Sequence, residues 1–252
     1  MKYGKLLVVL VSLSAIFLFS CSSSKTTNPE NKFWEELENA DYIVGLIMDL
    51  YVDGVSTPVV ITYYSDNPTY PQATMRINNE LVNIEWSFMN GGQWRGLVRG
   101  QLDFKEGDDV KILLSTPERT SNQTIRIPHK PQITNTDFPP IAHTDFNLTW
   151  QLNQNADLQI VYADGAVMYG EQSHYYEVIN RSHRSHIIPG STFPVNMIAW
   201  LVEIRNIEFE SSVNHFFYSE NVDIRSSVSF NDLRQQDLHS RFNEIYQILK
   251  NQ

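Results

Sequence analysis

Val82-Asn83-Ile84-Glu85-Trp86-Ser87-Phe88, the turn Asn90-Gly91-Gly92, then Trp94-Arg95-Gly96-Leu97-Val98-Arg99-Gly100-Gln101-Leu102-Asp103-Phe104: this stretch decides the fold. Val82, Ile84, Trp86 and Phe88 occupy every second position, with Asn83, Glu85 and Ser87 between them. A period of two is that of a strand, whose side chains alternate between a buried and a wet face. Asn and Gly tolerate the positive φ that a tight turn requires. Beyond the turn, Trp94, Gly96, Val98, Gly100, Leu102 and Phe104 alternate with Arg95, Arg99, Gln101 and Asp103.

The same period spreads outward. Downstream, Lys105-Glu106-Gly107-Asp108 reads as a turn, followed by Val110, Ile112 and Leu114, a polar loop, then Ile125 and Ile127. Upstream, Val59 to Tyr64 reads as a strand and Asp66-Asn67-Pro68 breaks it. Ala73, Met75 and Ile77 form the next strand, and Asn78-Asn79 predicts a tight turn. Phe33 to Glu38 reads as a short helical segment, and Tyr42 to Val52 as a strand.

Pro128-His129-Lys130-Pro131 is a stiff break, since proline removes a donor and restricts its neighbour. It marks the expected domain boundary. The alternation then restarts: Phe146, Leu148, Trp150 and Leu152, then Ala156, Leu158, Ile160 and Tyr162. Ala163-Asp164-Gly165 reads as a turn and Gly170 to Arg184 as a long polar and aromatic loop. Trp200, Val202 and Ile204 share one parity, Ile207 and Phe209 the other. That switch predicts a bulge or turn at Arg205-Asn206, because an uninterrupted strand would carry one set to the opposite face. Phe216 to Phe230 supplies one or two more strands. From Asn231 the period changes: Leu238, Phe242, Ile245 and Leu249 fall at helical spacing behind a capping Asn231 or Asp232.

The N-terminus carries a different signal. Lys2 and Lys5 precede the uncharged run Leu6 to Phe19. A positive head and a short apolar run describe a secretory signal, too short for the roughly 20 residues of a spanning helix. Cys21, the chain's one cysteine, follows directly. Leu18-Phe19-Ser20-Cys21 resembles the bacterial lipobox, although Phe19 is bulkier than the residue usual there. The resemblance implies cleavage before Cys21 and lipid on its thiol and new amino terminus. Ser22 to Lys32 is a polar tether. By the same resemblance to bacterial lipoproteins, the lack of an acidic cluster and of Asp after Cys21 implies the periplasmic face of an outer membrane. The formal charge is −10, and loss of Lys2 and Lys5 makes the mature chain two units more negative. Such a surface repels phosphate backbones, so nucleic acid is excluded as a partner. With the lone cysteine lipidated, no disulfide forms within the chain.

Ala73 to Pro128, with MRINNELV, GGQW, FKEGDDVKILL and a last strand ending in IRIP, resembles the immunoglobulin-like domains of bacterial envelope lipoproteins. Phe146 to Tyr162 is similar to the second and third strands of fibronectin type III-like domains, which implies a core position for Trp150. Neither resemblance carries catalytic residues, and a fold does not give a function.

Candidate chemistry is sparse. His174, Glu177, His183 and His186 gather in one stretch, and His183 and His186 have metal-ligand spacing if helical. Arg181 and Arg184 would repel a cation there, so these histidines read as a solvated loop, without a metal. The pairs Glu35–Glu36, Asp108–Asp109 and Glu208–Glu210 read as solvated charge. No phosphate loop, nucleophile elbow or Ser/His/Asp signature stands out. Tyr70, Trp94, Tyr175 and Tyr176 sit beside turns or in the long loop, where aromatic rings can serve as binding platforms.

The expected protein is all-β, with two tandem immunoglobulin-like or fibronectin III-like sandwiches. Its segments are a signal peptide over 1–20, a tether over 21–32, sandwiches over 33–128 and 131–230, and a helix over 231–252. The expected function is non-enzymatic and without cofactors: an envelope module held to the membrane by lipid on Cys21, binding a protein, or alternatively a glycan through loop aromatics.

Overall fold

The structure, a computed structural model, describes residues 29–52, 55–64, 70–88, 94–98, 102–167 and 173–227. Cys21 and the segment from Asn231 onward lie outside the described residues. The described chain is built mostly of strands. One helix, α1 (Pro29–Glu38), precedes β1 (Tyr42–Val52) and β2 (Val55–Tyr64). Then come β3 (Thr74–Ile77), β4 (Glu80–Val82), β5 (Ile84–Phe88), β6 (Trp94–Val98), β7 (Asp109–Ser115) and β8 (Thr120–Arg126). The second half holds β9 (Gln132–Ile133), β10 (Phe146–Gln151), β11 (Leu158–Val167), β12 (Ser173–Ile179), β13 (Ser185–Ile188), β14 (Met197–Ser212) and β15 (His215–Ser226). The β3–β4 turn places Asn78 and Asn79 at φ 49° and 71°, as their tolerance of the left-handed region allows.

Eight strands form one long sheet, in the order β12-β11-β14-β15-β1-β2-β6-β5. Residues before Pro128 supply one end of it and residues after Pro131 the other. The two ends join at the parallel pair β1·β15, where Tyr42 lies opposite His215 and Ile47 opposite Glu220. Strand pairing thus runs across the expected boundary, and the halves are welded by backbone hydrogen bonds. Two smaller sheets cover one face of the long one: β4-β3-β7-β8 and β13-β10-β9.

Each small sheet encloses a core. Tyr42, Val44 and Leu46 pack against Met75, Ile112, Leu114, Ile125 and Phe217 in the first. Leu148, Trp150, Ile188 and Phe193 pack against Val161, Val202 and Ile204 in the second. A third core lies on the opposite face, where α1 lays Phe33 and Leu37 over Ile43, Leu158, Ile207, Phe209, Phe216 and Tyr218. Helix α1 starts at Pro29, within the stretch that the sequence pattern assigns to the polar tether.

This third core corrects the expected bulge. Strand β14 pairs with β15 without a register shift from Leu201 to Ser212. Val202 and Ile204 face the small sheet, while Ile207 and Phe209 face α1. Each set is buried on its own side, so a straight strand satisfies both parities. Two other readings change. Ala163-Asp164-Gly165 is not a turn but the interior of β11, and the expected loop from Gly170 to Arg184 contains β12.

The link between the small sheets crosses the long sheet over polar side chains. Asn206 Nδ2 donates to the His129 carbonyl at 2.7 Å, and Asn221 Nδ2 to the Pro128 carbonyl at 3.1 Å. Asp223 Oδ2 accepts from the Ile133 amide at 2.7 Å, and Gln159 Nε2 donates to Asn206 Oδ1 at 3.0 Å. Backbone groups removed from water need such partners. The polar positions within these apolar strands are what let the link lie flat.

His215 ties β8 to this sheet. It is 3% exposed, and its Nδ1 lies 2.7 Å from Ser121 Oγ, which in turn lies 3.0 Å from Ser212 Oγ. Burial pushes the imidazole below its ordinary range, helped by the Arg119 charge and opposed by Asp41. The folded state therefore resists a proton that the unfolded chain accepts below about pH 6.5. Stability is fully present above that pH and falls as the pH drops through it. In urea titrations at pH 7.5 and 5.5, His215→Gln is expected to shrink the loss of stability on acidification. An undiminished loss would show that the histidine is not its source.

Candidate functional site

The exposed chemistry gathers at the β5 edge of the long sheet. Phe88 lies directly opposite Trp94 across the β5–β6 pair. Ile84 and Trp86 share the Phe88 face and pack against the first core, but Phe88 itself lies beyond that cover and is 53% exposed. Tyr70, four residues before β3, also packs against Trp94 and is 57% exposed. The Tyr70–Trp94 centroids are 5.1 Å apart at 75°, and the Phe88–Trp94 centroids 5.0 Å apart at 61°. Both contacts are edge-to-face, a favourable geometry for ring quadrupoles. The indole Nε1 of Trp94 is out of solvent and has no hydrogen-bond partner. A buried indole N–H ordinarily finds one. Two exposed rings and a half-buried third thus form a ridge with an unused donor inside it.

Of the four aromatics singled out in the sequence, this cluster unites Tyr70 and Trp94; Phe88 is the member that pattern reading missed. Its strand parity assigned it to the core. Only the extent of the covering layer, a tertiary property, leaves it outside.

Tyr175 and Tyr176 lie in strand β12 rather than in a loop, and on opposite faces. Tyr176 packs against the core under α1. Tyr175 packs against the second core and stacks on His186, with centroids 5.8 Å apart at 24°. The four-residue histidine constellation divides in the same way. His174 Nδ1 is 2.5 Å from Asp164 Oδ1 and 3.2 Å from the Tyr162 hydroxyl. On the other side the Tyr175 hydroxyl donates to Glu177 and lies 2.6 Å from His186 Nε2. Burial and the Glu177 carboxylate raise the Tyr175 phenol well above its usual range, which makes it no nucleophile. Burial and the His183 charge lower the His186 imidazole, against Glu177. His183 itself lies on the turn after β12, its amide bonded to the Asn180 carbonyl at 2.9 Å. Among the described residues no three His, Cys, Asp or Glu side chains are placed to hold a metal ion. The Tyr175–His186 contact instead pins β12, the end strand of the long sheet, to β13 of the small one.

One carboxylate pair departs from its solvated reading. Glu208 is half-buried and shares a hydrogen bond with Asp157, not with Glu210. Burial, then that bond and the Asp157 charge, raise the Glu208 carboxyl to about 8, against the pull of Arg126 and Arg181. A raised carboxyl holds a proton that the unfolded chain releases near pH 4.5, so stability falls as pH rises from there to about 8. Glu208→Gln is expected to abolish this decline, seen as a smaller stability difference between pH 5 and pH 8. A wild-type decline unchanged in the variant would remove Glu208 as its cause. Two carboxyls in hydrogen-bond contact stand closer than the roughly 5 Å or more that glycoside-cleaving pairs keep. Among the described residues no helix is long and apolar enough to cross a membrane.

No protein-family model matches the chain, and no curated protein matches it significantly.

Proposed function

We propose that this chain is a lipid-anchored, non-enzymatic protein-interaction module of a bacterial cell envelope, on the periplasmic face of the outer membrane. The observation that carries the reading is the Tyr70–Trp94–Phe88 cluster. Aromatic rings held half out of water by a rigid sheet are the residue types that anchor protein interfaces. The two enclosed cores, with Trp150 only 2% exposed in the second, support the immunoglobulin-like or fibronectin III-like resemblance. Lipid on Cys21 gives the module its membrane.

The anchor has a direct test. Cys21→Ala is expected to release the protein from membranes or stall its processing. Equal retention of wild type and variant after an alkaline wash would exclude the lipid. The cluster is tested by crosslinking the native protein in cells. The wild type is expected to capture one dominant protein, and Tyr70→Ser with Phe88→Ser to lower that yield about tenfold without changing the melting temperature. Undiminished capture by the double variant would exclude the cluster as the contact.

A glycan is the second reading, favoured by the exposed rings of Tyr70 and Phe88, whose apolar faces can take a sugar ring. Retention of peptidoglycan saccharides by the wild type, with no protein captured, would select it.

A further inference from the structure

We infer that the outward face of the β9–β10–β13 sheet is a binding surface for an uncharged oligosaccharide. Strand β10 sends Phe146, Leu148 and Trp150 into the second core, so Asn147, Thr149 and Gln151 point away from it. Gln132 lies opposite Gln151, Ser185 opposite Thr149 and Ile187 opposite Asn147. Ile133 and Ile188 belong to the same core, so Gln132, Ser185 and Ile187 take the outer face as well. Thr134 prolongs β9, its amide bonded to the Thr149 carbonyl at 2.9 Å. Amide, hydroxyl and one aliphatic side chain make up this surface, and no charge stands among them. The other small sheet has a different outer face. Between its core positions Met75, Ile77, Val110, Ile112 and Ile125 it turns out Arg76, Asp109, Lys111 and Arg126. The lack of charge is therefore particular to one sheet of an acidic chain and not a habit of its outer faces.

The hydroxyls on this face are held in one orientation. The Thr149 amide donates to Asn135 Oδ1 at 2.6 Å, which fixes that oxygen toward the strand. The same oxygen accepts from the Thr149 hydroxyl at 3.1 Å. With its proton committed, Thr149 Oγ1 takes the proton of Thr134 Oγ1, 2.9 Å away. The exposed Thr134 oxygen is left as an acceptor. Asn135 Nδ2 turns to the rim, where it donates to Asp137 Oδ1 at 2.9 Å. Around this fixed pair stand the exposed amides of Gln132, Asn147 and Gln151, each with a donor and an acceptor on one group. Sugar hydroxyls also donate and accept, so such amides can meet them in pairs. Ile187, 60% exposed, offers apolar surface to the C–H side of a ring. A charged ligand would lose water here without a counter-charge, which is costly. A protein would find no Trp, Tyr or Arg anchor. From Asn147 to Gln151 the face runs about 14 Å, and about 10 Å across its strands, the footprint of a short oligosaccharide. The site is separate from the Tyr70–Trp94–Phe88 edge and does not rest on the protein-binding reading.

The test uses the lipidated full chain in bilayer nanodiscs and reads binding by saturation-transfer NMR. The uncharged probes are N-acetylchitotriose, cellotriose, maltotriose and mannotriose; trigalacturonate is the acidic one. An uncharged probe is expected to bind with a Kd of about 1 mM, and trigalacturonate not to bind. Asn147→Asp with Gln151→Glu keeps the shape of the face but charges it, and is expected to weaken that binding about tenfold, since each carboxylate would lose water unpaired. Thr134→Val removes the fixed acceptor and is expected to weaken it about fivefold, the share of one hydrogen bond. Melting temperatures of these variants should match the wild type. Tyr70→Ser with Phe88→Ser should leave the binding unchanged. Binding lost in that pair and kept in the sheet variants would put the sugar on the aromatic edge and overturn the inference. So would binding by none of the uncharged probes, or equal binding of trigalacturonate.

Discussion

Arg205→Met should cost about 3–5 kcal/mol, the range for removing one partner from a buried ion group. Arg205 Nε donates to Glu203 Oε1 at 2.7 Å and Nη1 to Glu220 Oε1 at 2.9 Å. Burial alone would push the guanidinium down; the two facing carboxylates outweigh it and hold its proton above the ordinary value. Methionine matches the length of the stem but leaves two carboxylates near each other in a low dielectric. Against a typical stability of about 5–15 kcal/mol, that loss is a large share. The decisive comparison is between three chains in urea. Arg205→Met alone should lose most. Arg205→Met with Glu203→Gln and Glu220→Gln should recover much of the loss, because the desolvated charges have gone with the guanidinium. A single variant within about 1 kcal/mol of wild type would mean that the cluster is solvated. Equal losses in single and triple variants would mean that arginine packing, not charge, is what was removed.

The same cluster shows where sequence reading stops. Alternation located most strands, because period two is local and each strand carries it alone. Tyr42–Val52 has the same bounds in pattern and structure. The positive φ at Asn78 and Asn79 was legible for the same reason: the residue type itself tolerates it. What was not legible depends on which layer covers a strand, and where. Glu203 and Arg205 look like the wet face of β14, and Ile207 and Phe209 look out of phase, only if one face of the sheet is assumed dry. Both faces are covered, by a small sheet at one place and by α1 at another. A parity switch can therefore mark a strand passing between two covers.

The candidate site divides along the same line. Tyr70 and Trp94 were legible as aromatics beside turns, since turns reach the surface. Phe88 was hidden by its regular alternation, which says which face a residue takes and nothing of how far the opposing layer extends. Tyr175 and Tyr176 lacked an alternating pattern because β12 buries residues on both sides: Tyr176 toward α1, Tyr175 toward the second core. Strands covered on both faces lose the period-two signal. The pairing β1·β15 was beyond reach altogether, since nothing local in Tyr42–Val52 specifies a parallel partner in His215–Ser226.

Gly165→Ala should be the other severe substitution, at about 3 kcal/mol, the upper end for overpacking a well-filled interior. A Cβ at Gly165 would stand 2.4 Å from the Thr192 carbonyl oxygen and 2.6 Å from Pro194 Cδ. Gly165 lies within β11, opposite Trp200 on one neighbour and Ser173 on the other, so it cannot shift without breaking both ladders. The obstacle is backbone, and it too is pinned. The Thr192 and Phe193 amides bond back to the Pro189 and Gly190 carbonyls at 3.0 and 3.1 Å, and Phe193 is fully buried. Behind them Gly190 sits so close to His143 that its own Cβ would meet that backbone at 2.6 Å. A glycine inside a strand marks such a close approach. Gly107 provides the control, because its φ of +83° demands glycine for conformation while the nearest atoms stay 3.5 Å from a Cβ. Asparagine tolerates the left-handed region, so Gly107→Asn should recover part of what Gly107→Ala loses. Gly165→Asn should recover nothing relative to Gly165→Ala, since the fault there is volume. Melting temperatures of the four variants decide it. Rescue by asparagine at Gly165 would show that backbone conformation, and not the Thr192 carbonyl, is what the glycine serves.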